Sequence, residues 1–398
     1  MANKVANVDD VTDAIASVAV VERASREAQW LPVVPSMPNS LVRSHLHRLP
    51  EVAPLAAEVT VVGDADVAPT FAAVGRVSVG AGAITAMAAN AFDGNLFVAD
   101  YTQDSVTVLD GFTLATVATL GDAPEPYALA VAQGRAYIST VVGSHDAVTV
   151  ADAESVVDTH SLADSIADIV VDRDGRQVYV ARTGRDGADV AVIDTATGTV
   201  RTVDVMSRAG VVANTLSISG DGRTLYLATT DQRGGRLVII DTMNLRVIDT
   251  LRVAEPIRDM AASHDGATAW VAIDDGESAG VVDAVDLRTR RVLGSVSIDG
   301  AVRQLMLSAV GDRVYAVTDE AVVVVCTDTY EVVDTINTGA APSCITESAD
   351  GSRLYIADFD GRVALYSVAS TTPSLLERMS TPEALAGPAV RELERAGV

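Results

Sequence analysis

Gln177-Val-Tyr-Val-Ala-Arg182, set between the turn Asp174-Gly175 and a later Val190-Ala-Val-Ile-Asp194, decides how this chain is read. The phrase returns as Asn95-Leu-Phe-Val-Ala-Asp100, Arg135-Ala-Tyr-Ile-Ser-Thr140, Thr224-Leu-Tyr-Leu-Ala-Thr229, Thr268-Ala-Trp-Val-Ala-Ile273, Arg313-Val-Tyr-Ala-Val-Thr318 and Arg353-Leu-Tyr-Ile-Ala-Asp358. Its aromatic residues are Phe97, Tyr137, Tyr179, Tyr226, Trp270, Tyr315 and Tyr355, spaced by 40, 42, 47, 44, 45 and 40 residues. A repeat of that length built from short strands alone is the mark of a propeller blade. One aromatic per blade is what packing requires, so these seven are expected in the core.

Blade 3 shows the unit. An inner strand covers about 167–172, Asp174-Gly175 makes the hairpin turn, and a second strand follows at 177–182. The third strand is expected at 189–194 and the fourth at 199–205. Asp221-Gly222, Asp265-Gly266 and Asp350-Gly351 mark the same turn in blades 4, 5 and 7. A four-stranded sheet cannot bury both faces alone, so blades stack, and closing the ring removes the two exposed end faces. Residues 74–79 are expected to close it as the outer strand of the sheet built from 344–368, with 373–379 competing for that place.

Outside the repeat, Val8, Val11, Ile15 and Val18 recur at helical spacing, and Pro32, Pro35 and Pro38 end that pattern. The division is therefore a helical N-terminal extension at 1–57, an all-β propeller of seven four-stranded antiparallel blades at 58–381, and a short helical C-terminal tail at 382–398.

Composition narrows the function. A net charge of -25 repels phosphate backbones and argues against nucleic acid. No apolar run reaches the roughly 18 residues of a membrane span. Residues 1–27 lack the basic start and apolar stretch of a secretory signal, and two cysteines, Cys326 and Cys344, make no disulfide framework. A cytoplasmic location is expected. The five histidines (His45, His47, His145, His160, His264) are scattered without metal-ligand spacing, so no metal or cofactor is expected. Asp172-x-Asp174-Gly175 reads as a hairpin turn, because a strand follows where the later ligands of a calcium loop would be. There is no Gly-x-Ser-x-Gly elbow.

Val178-Tyr-Val-Ala181, Leu225-Tyr-Leu-Ala228 and Leu354-Tyr-Ile-Ala357, with Val192-Ile-Asp-Thr195 and Ile239-Ile-Asp-Thr242 downstream, resemble the YVTN-type repeat of the lactonase-like seven-bladed propeller superfamily. The resemblance spans about 70–380. It is specific for fold and unspecific for activity. The chain is also similar to cytoplasmic seven-bladed propellers of mycobacteria. That similarity implies a non-catalytic accessory of a cell-envelope lipid-export membrane complex, with a protein as partner.

In a propeller the inner strands line an axial channel, and the repeat nominates two columns at its mouth. The ends of the second strands contribute Asp100, Arg182 and Asp358. The starts of the inner strands contribute Ala86, Pro126, Ala167, Asn214, Arg258, Gln304 and Ser343, with Asp168, Asp259 and Arg303 beside them. Mixed acids, amides and arginines there suit a small polar ligand; alternatively they pair with one another in a wet channel. A hydrolase would use arginine against an oxyanion and a carboxylate to activate water, but no full catalytic set aligns. For a partner, the candidate contacts are the stripe Val8, Val11, Ile15 and Val18 and the basic residues Arg43 and Arg48. The leading expectation is a non-catalytic interaction scaffold.

Overall fold

The computed structural model describes residues 70–143, 145–253, 255–274, 279–369 and 391–392. The extension at 1–57, with Val8, Val11, Ile15, Val18, Arg43 and Arg48, lies outside them, as does 373–379.

Seven antiparallel sheets follow one another along the chain, each with at least four strands. Blade 3 runs from an inner strand at Ser165–Val171 through Gln177–Gly184 and Gly187–Asp194 to an outer strand at Val200–Met206. Burial explains the repeated phrase. The second strands are covered on both faces, so Leu225 and Leu227 pack toward blade 3 while Tyr226 and Ala228 pack toward blade 5. Seven apolar clusters result, and each straddles two neighbouring blades. One of them, with Ile84, Leu96, Leu109, Tyr355 and Leu365, joins blade 7 to blade 1 and makes the stack circular.

All seven repeat aromatics are buried. Three tyrosines also tie a blade to its successor through the hydroxyl. Tyr226 donates to the carbonyl of Gly266 (3.1 Å), Tyr315 to Glu347 Oε1 (2.9 Å) and Tyr355 to the carbonyl of Gly111 (2.6 Å). A buried tyrosine needs such an acceptor, which gives the position a polar role as well as an apolar one.

The ring is closed by the N-terminal strand Phe71–Ser78, which pairs antiparallel with Arg362–Val368 from Phe71↔Val368 to Ser78↔Arg362. Blade 7 is thus stitched from both ends of the propeller. Of the tail at 382–398, Arg391–Glu392 are described and form a two-residue strand beside Arg291 and Val292 of blade 5; the rest of the tail, and with it the helical reading, lies outside the described residues. The outer strand of a blade offers unpaired backbone groups, and two residues of the tail take them.

Among the described residues no helix is long and apolar enough to cross a membrane.

Candidate functional site

The inner strands carry the site, and a bulge shapes it. In blades 1, 3, 4, 5 and 7 the pairing of inner with second strand skips one residue: Thr85, Ala167, Asn214, Arg258 or Ser343. The extra residue breaks the ladder and re-aims its side chain. These residues and their successors line an axial cavity of about 570 Å³. Its polar wall holds Asp168, Asn214, Thr215, Arg258, Asp259, Arg303 and Gln304.

The innermost edge of a blade presents backbone N–H groups that no further strand can take. Side chains from the preceding blade take them. Asp168 Oδ2 accepts from Leu216 N (2.7 Å), Asp259 Oδ2 from Leu305 N (2.6 Å) and Gln304 Oε1 from Ile345 N (2.8 Å). The other oxygen of each aspartate accepts from its own successor, Ile169 or Met260, at 2.8 Å. Asn214 donates instead, to the carbonyl of Ile257 (2.8 Å). Thr215 reaches back to blade 3, donating to Asp168 Oδ2 at 3.0 Å.

Desolvation dominates both carboxyls, although each keeps partial exposure to the channel. It pushes Asp168 up to about 6, against the lowering effect of its amide and hydroxyl donors. It pushes Asp259 up to about 7, and the charge of Asp168 adds to the rise. The pair therefore titrates near neutrality, as acid–base groups do. Arg303 bonds Asp319 (2.6 Å) and lies 5.2 Å from the ring centre of Phe359.

Of the residues nominated from sequence, Asp168, Asn214, Arg258, Arg303 and Gln304 meet in this cavity. Asp100, Arg182 and Asp358 do not. They lie on the second strands, Asp100 and Asp358 at the very end and Arg182 two residues before it, one strand away from the axis, and are buried in blade-local bonds. Asp100 Oδ1 accepts from the amides of Thr102 and Gln103, both at 3.0 Å. Arg182 makes a bidentate pair with Asp189 (2.8 and 2.9 Å). Asp358 accepts from Asp360 N and Arg362 N and pairs with Arg362. Pro126 is also absent from the cavity lining, where blade 2 presents Tyr127 and Ala128. Thr85 and Thr215 were missed, because a bulge shifts the repeat by one residue without leaving a mark in the apolar pattern; Tyr127 lies one position beyond Pro126, in a blade whose inner pairing has no bulge.

Both cysteines are buried and free, and burial pushes the Cys344 thiol up to about 12. His145 opens a third strand and is exposed; His264 Nε2 contacts the carbonyl of Ser308 (3.2 Å). Among the described residues no group of three or more metal-ligating side chains converges.

The family model for "Lactonase, 7-bladed beta-propeller" matches residues 143–257. That stretch includes Asp168, Arg182 and Asn214 and ends before Arg258. The chain is 35% identical over 345 residues to the seven-bladed beta-propeller protein Rv1057 of Mycobacterium tuberculosis, covering 77% of this chain and 88% of that protein. This chain belongs to the lactonase-like seven-bladed β-propeller family. A chain of the hydrazine synthase of Kuenenia stuttgartiensis superposes with a TM-score of 0.64 over 74% of this chain and 97% of that one. At 19% identity, that likeness extends to the fold alone.

Proposed function

We propose that this propeller is a non-catalytic platform that docks a protein partner on one of its faces. One observation carries the reading. The four most exposed large apolar side chains among the described residues are Met243 (78%), Phe92 (74%), Val310 (68%) and Phe112 (63%). Phe92 and Val310 sit in turns between inner and second strands, Phe112 and Met243 in turns between third and outer strands. In an up-and-down blade both kinds of turn emerge at the same end, so all four share one face. Phe92 and Phe112 both belong to blade 1, and this local apolar exposure supports a docking surface there, with Met243 and Val310 on blades 4 and 6 of the same face. Two grooves of about 360 and 390 Å³ share the wall Ala89–Ala91, the first lined by Phe112 and Arg353 and the second by Phe92, Gln133 and Arg173. Arg353 lies 3.7 Å from the centre of the Phe112 ring, so a partner meets a pre-organised aromatic–cation pair.

The partner we favour presents apolar side chains flanked by polar groups. The resemblance to mycobacterial propellers leads us to place it in a cell-envelope lipid-export membrane complex, reached from the cytoplasmic side. Affinity purification from native membranes tests this against a Phe92→Asp, Phe112→Asp double variant. A stoichiometric partner held by the native protein and lost from the variant is the expected result. Equal capture by both refutes the face.

A second reading rests on the channel: Asp168 and Asp259 titrate near neutrality in a cavity that Arg258 also lines. It is binding, or lactone hydrolysis, of a small polar molecule. A metabolite or sugar lactone that raises the melting temperature, with the effect abolished in Asp168→Asn and Arg258→Ala, would establish it.

A further inference from the structure

On the face opposite those turns, four arginines converge on one short loop of blade 4. Asp231 ends the second strand of that blade, and Arg233 follows it in the loop. Arg236 is the third residue of the third strand, Arg252 lies near the end of the outer strand, and Arg208 comes from the connection out of blade 3. Arg236 Nη1 bonds Asp231 Oδ2 at 2.6 Å, and Arg208 Nη2 meets the same oxygen. Arg252 Nη2 donates to the carbonyl of Arg233 (3.3 Å), and Arg233 N donates to Asp231 Oδ1 (2.7 Å). Both centre groups are built in: the Asp231 side chain is 4% exposed and that of Arg236 is 10%.

Charge does not balance here. Arg208 and Arg236 bond the Asp231 carboxylate, Arg252 bonds the carbonyl of Arg233, and the Arg233 charge acts on Arg208, so against the one carboxylate bonded there among the described residues 4 - 1 leaves three positive charges. This excess stands out in a chain of net charge -25. The strain of it registers on Arg208, which partial desolvation and the neighbouring Arg236 and Arg233 hold below the ordinary arginine range. Arg233 and Arg252 are exposed, so the excess charge is open to solvent. Guanidinium forks match the oxygens of phosphate and carboxylate, and a dianion offsets three charges better than a monoanion does.

We propose that Arg208, Arg233, Arg236 and Arg252 form a binding site for a phosphate group, on a soluble phosphate ester or a lipid headgroup. The site is independent of the apolar face and of the axial cavity. Asp231 serves as its internal anchor, holding Arg208 and Arg236 in place before the ligand arrives.

Calorimetric titration of the full chain with inorganic phosphate at low ionic strength tests the proposal, with vesicles of phosphatidic acid and of phosphatidylcholine as a second arm. Saturable binding in one arm or both is expected, weakened at least about tenfold in Arg233→Ala, Arg252→Ala, where charge-assisted hydrogen bonds are lost. Both substitutions are at exposed positions, so the fold is retained. Arg135→Ala, an exposed arginine in blade 2, is the control for net charge and should bind as the native protein does. Phosphate binding without vesicle binding identifies a soluble ester as the source; preference for phosphatidic acid identifies a headgroup. No saturable binding in either arm overturns the site, as does an equal loss in Arg135→Ala or no loss in the double variant.

Discussion

Replacing Asp259 by asparagine should make this propeller more stable at pH 8 and leave it nearly unchanged at pH 4. In the unfolded chain this carboxyl ionises near 3.8; in the folded channel wall it holds its proton up to about 7. Between those values the folded state binds the extra proton, so stability falls as pH rises through the window and levels off above it. Three units at 1.36 kcal/mol each set a ceiling of about 4 kcal/mol, reduced by water in the channel that screens the charge. Asparagine keeps an oxygen for the amide of Leu305, which lies 2.6 Å from Asp259 Oδ2, and carries no charge to desolvate. Urea unfolding of both proteins at pH 4, 5, 6, 7 and 8 measures the effect. The expected result is a gap that opens between pH 4 and 8 and reaches about 1–4 kcal/mol in favour of the variant. Parallel pH profiles would refute the account, because they would mean that Asp259 ionises in the folded protein much as it does unfolded.

Other outcomes follow from the packing. A chain beginning at Gly80 lacks the closing strand Phe71–Ser78 and should lose cooperative unfolding, whereas one beginning at Thr70 should keep it; calorimetry distinguishes them. Trp270→Ala empties a site 2% exposed between blades 5 and 6 and should cost about 3–5 kcal/mol in denaturant unfolding. Gly187 has φ +144°, and a Cβ there would lie 1.9 Å from the carbonyl oxygen of Met206, so Gly187→Ala should lower the melting temperature although it adds one methyl group. Arg182→Met should destabilise the protein by about 2 kcal/mol by stranding Asp189, and leave channel binding unchanged because Arg182 is not in the cavity wall.

The blade number was legible because the second strand of each blade is buried on both faces, which forces an apolar phrase into the chain once per turn of the ring. The aromatic at its centre was legible for the same reason, but its hydroxyl partner was not: Tyr226 and Gly266 are 40 residues apart, and nothing local links them. The strand that closes the ring was read from its place before the first inner strand, and the pairing of Phe71 with Val368 accords with that. The site was half legible. Asn214, Arg258 and Gln304 were placed by column, and Asp168 and Arg303 by adjacency to it. Asp100, Arg182 and Asp358 follow the same column logic yet fail, because a strand end that looks like a channel mouth is sealed by its own loop. The arginine cluster was invisible in the sequence because its members are spread from Arg208 to Arg252 and meet only through the Asp231 carboxylate and the Arg233 carbonyl.

The pairing of Phe71 with Val368 also sets a schedule. The two partners are 297 positions apart, so the earliest strand of the propeller must wait while six blades and most of a seventh are made. At about 5–20 residues per second of synthesis that wait is roughly 15–60 s. Throughout it, a ribbon of unpaired backbone trails from the nascent chain, and the flank of blade 1 lacks its neighbour. Ring closure therefore has to follow synthesis of the final hairpin.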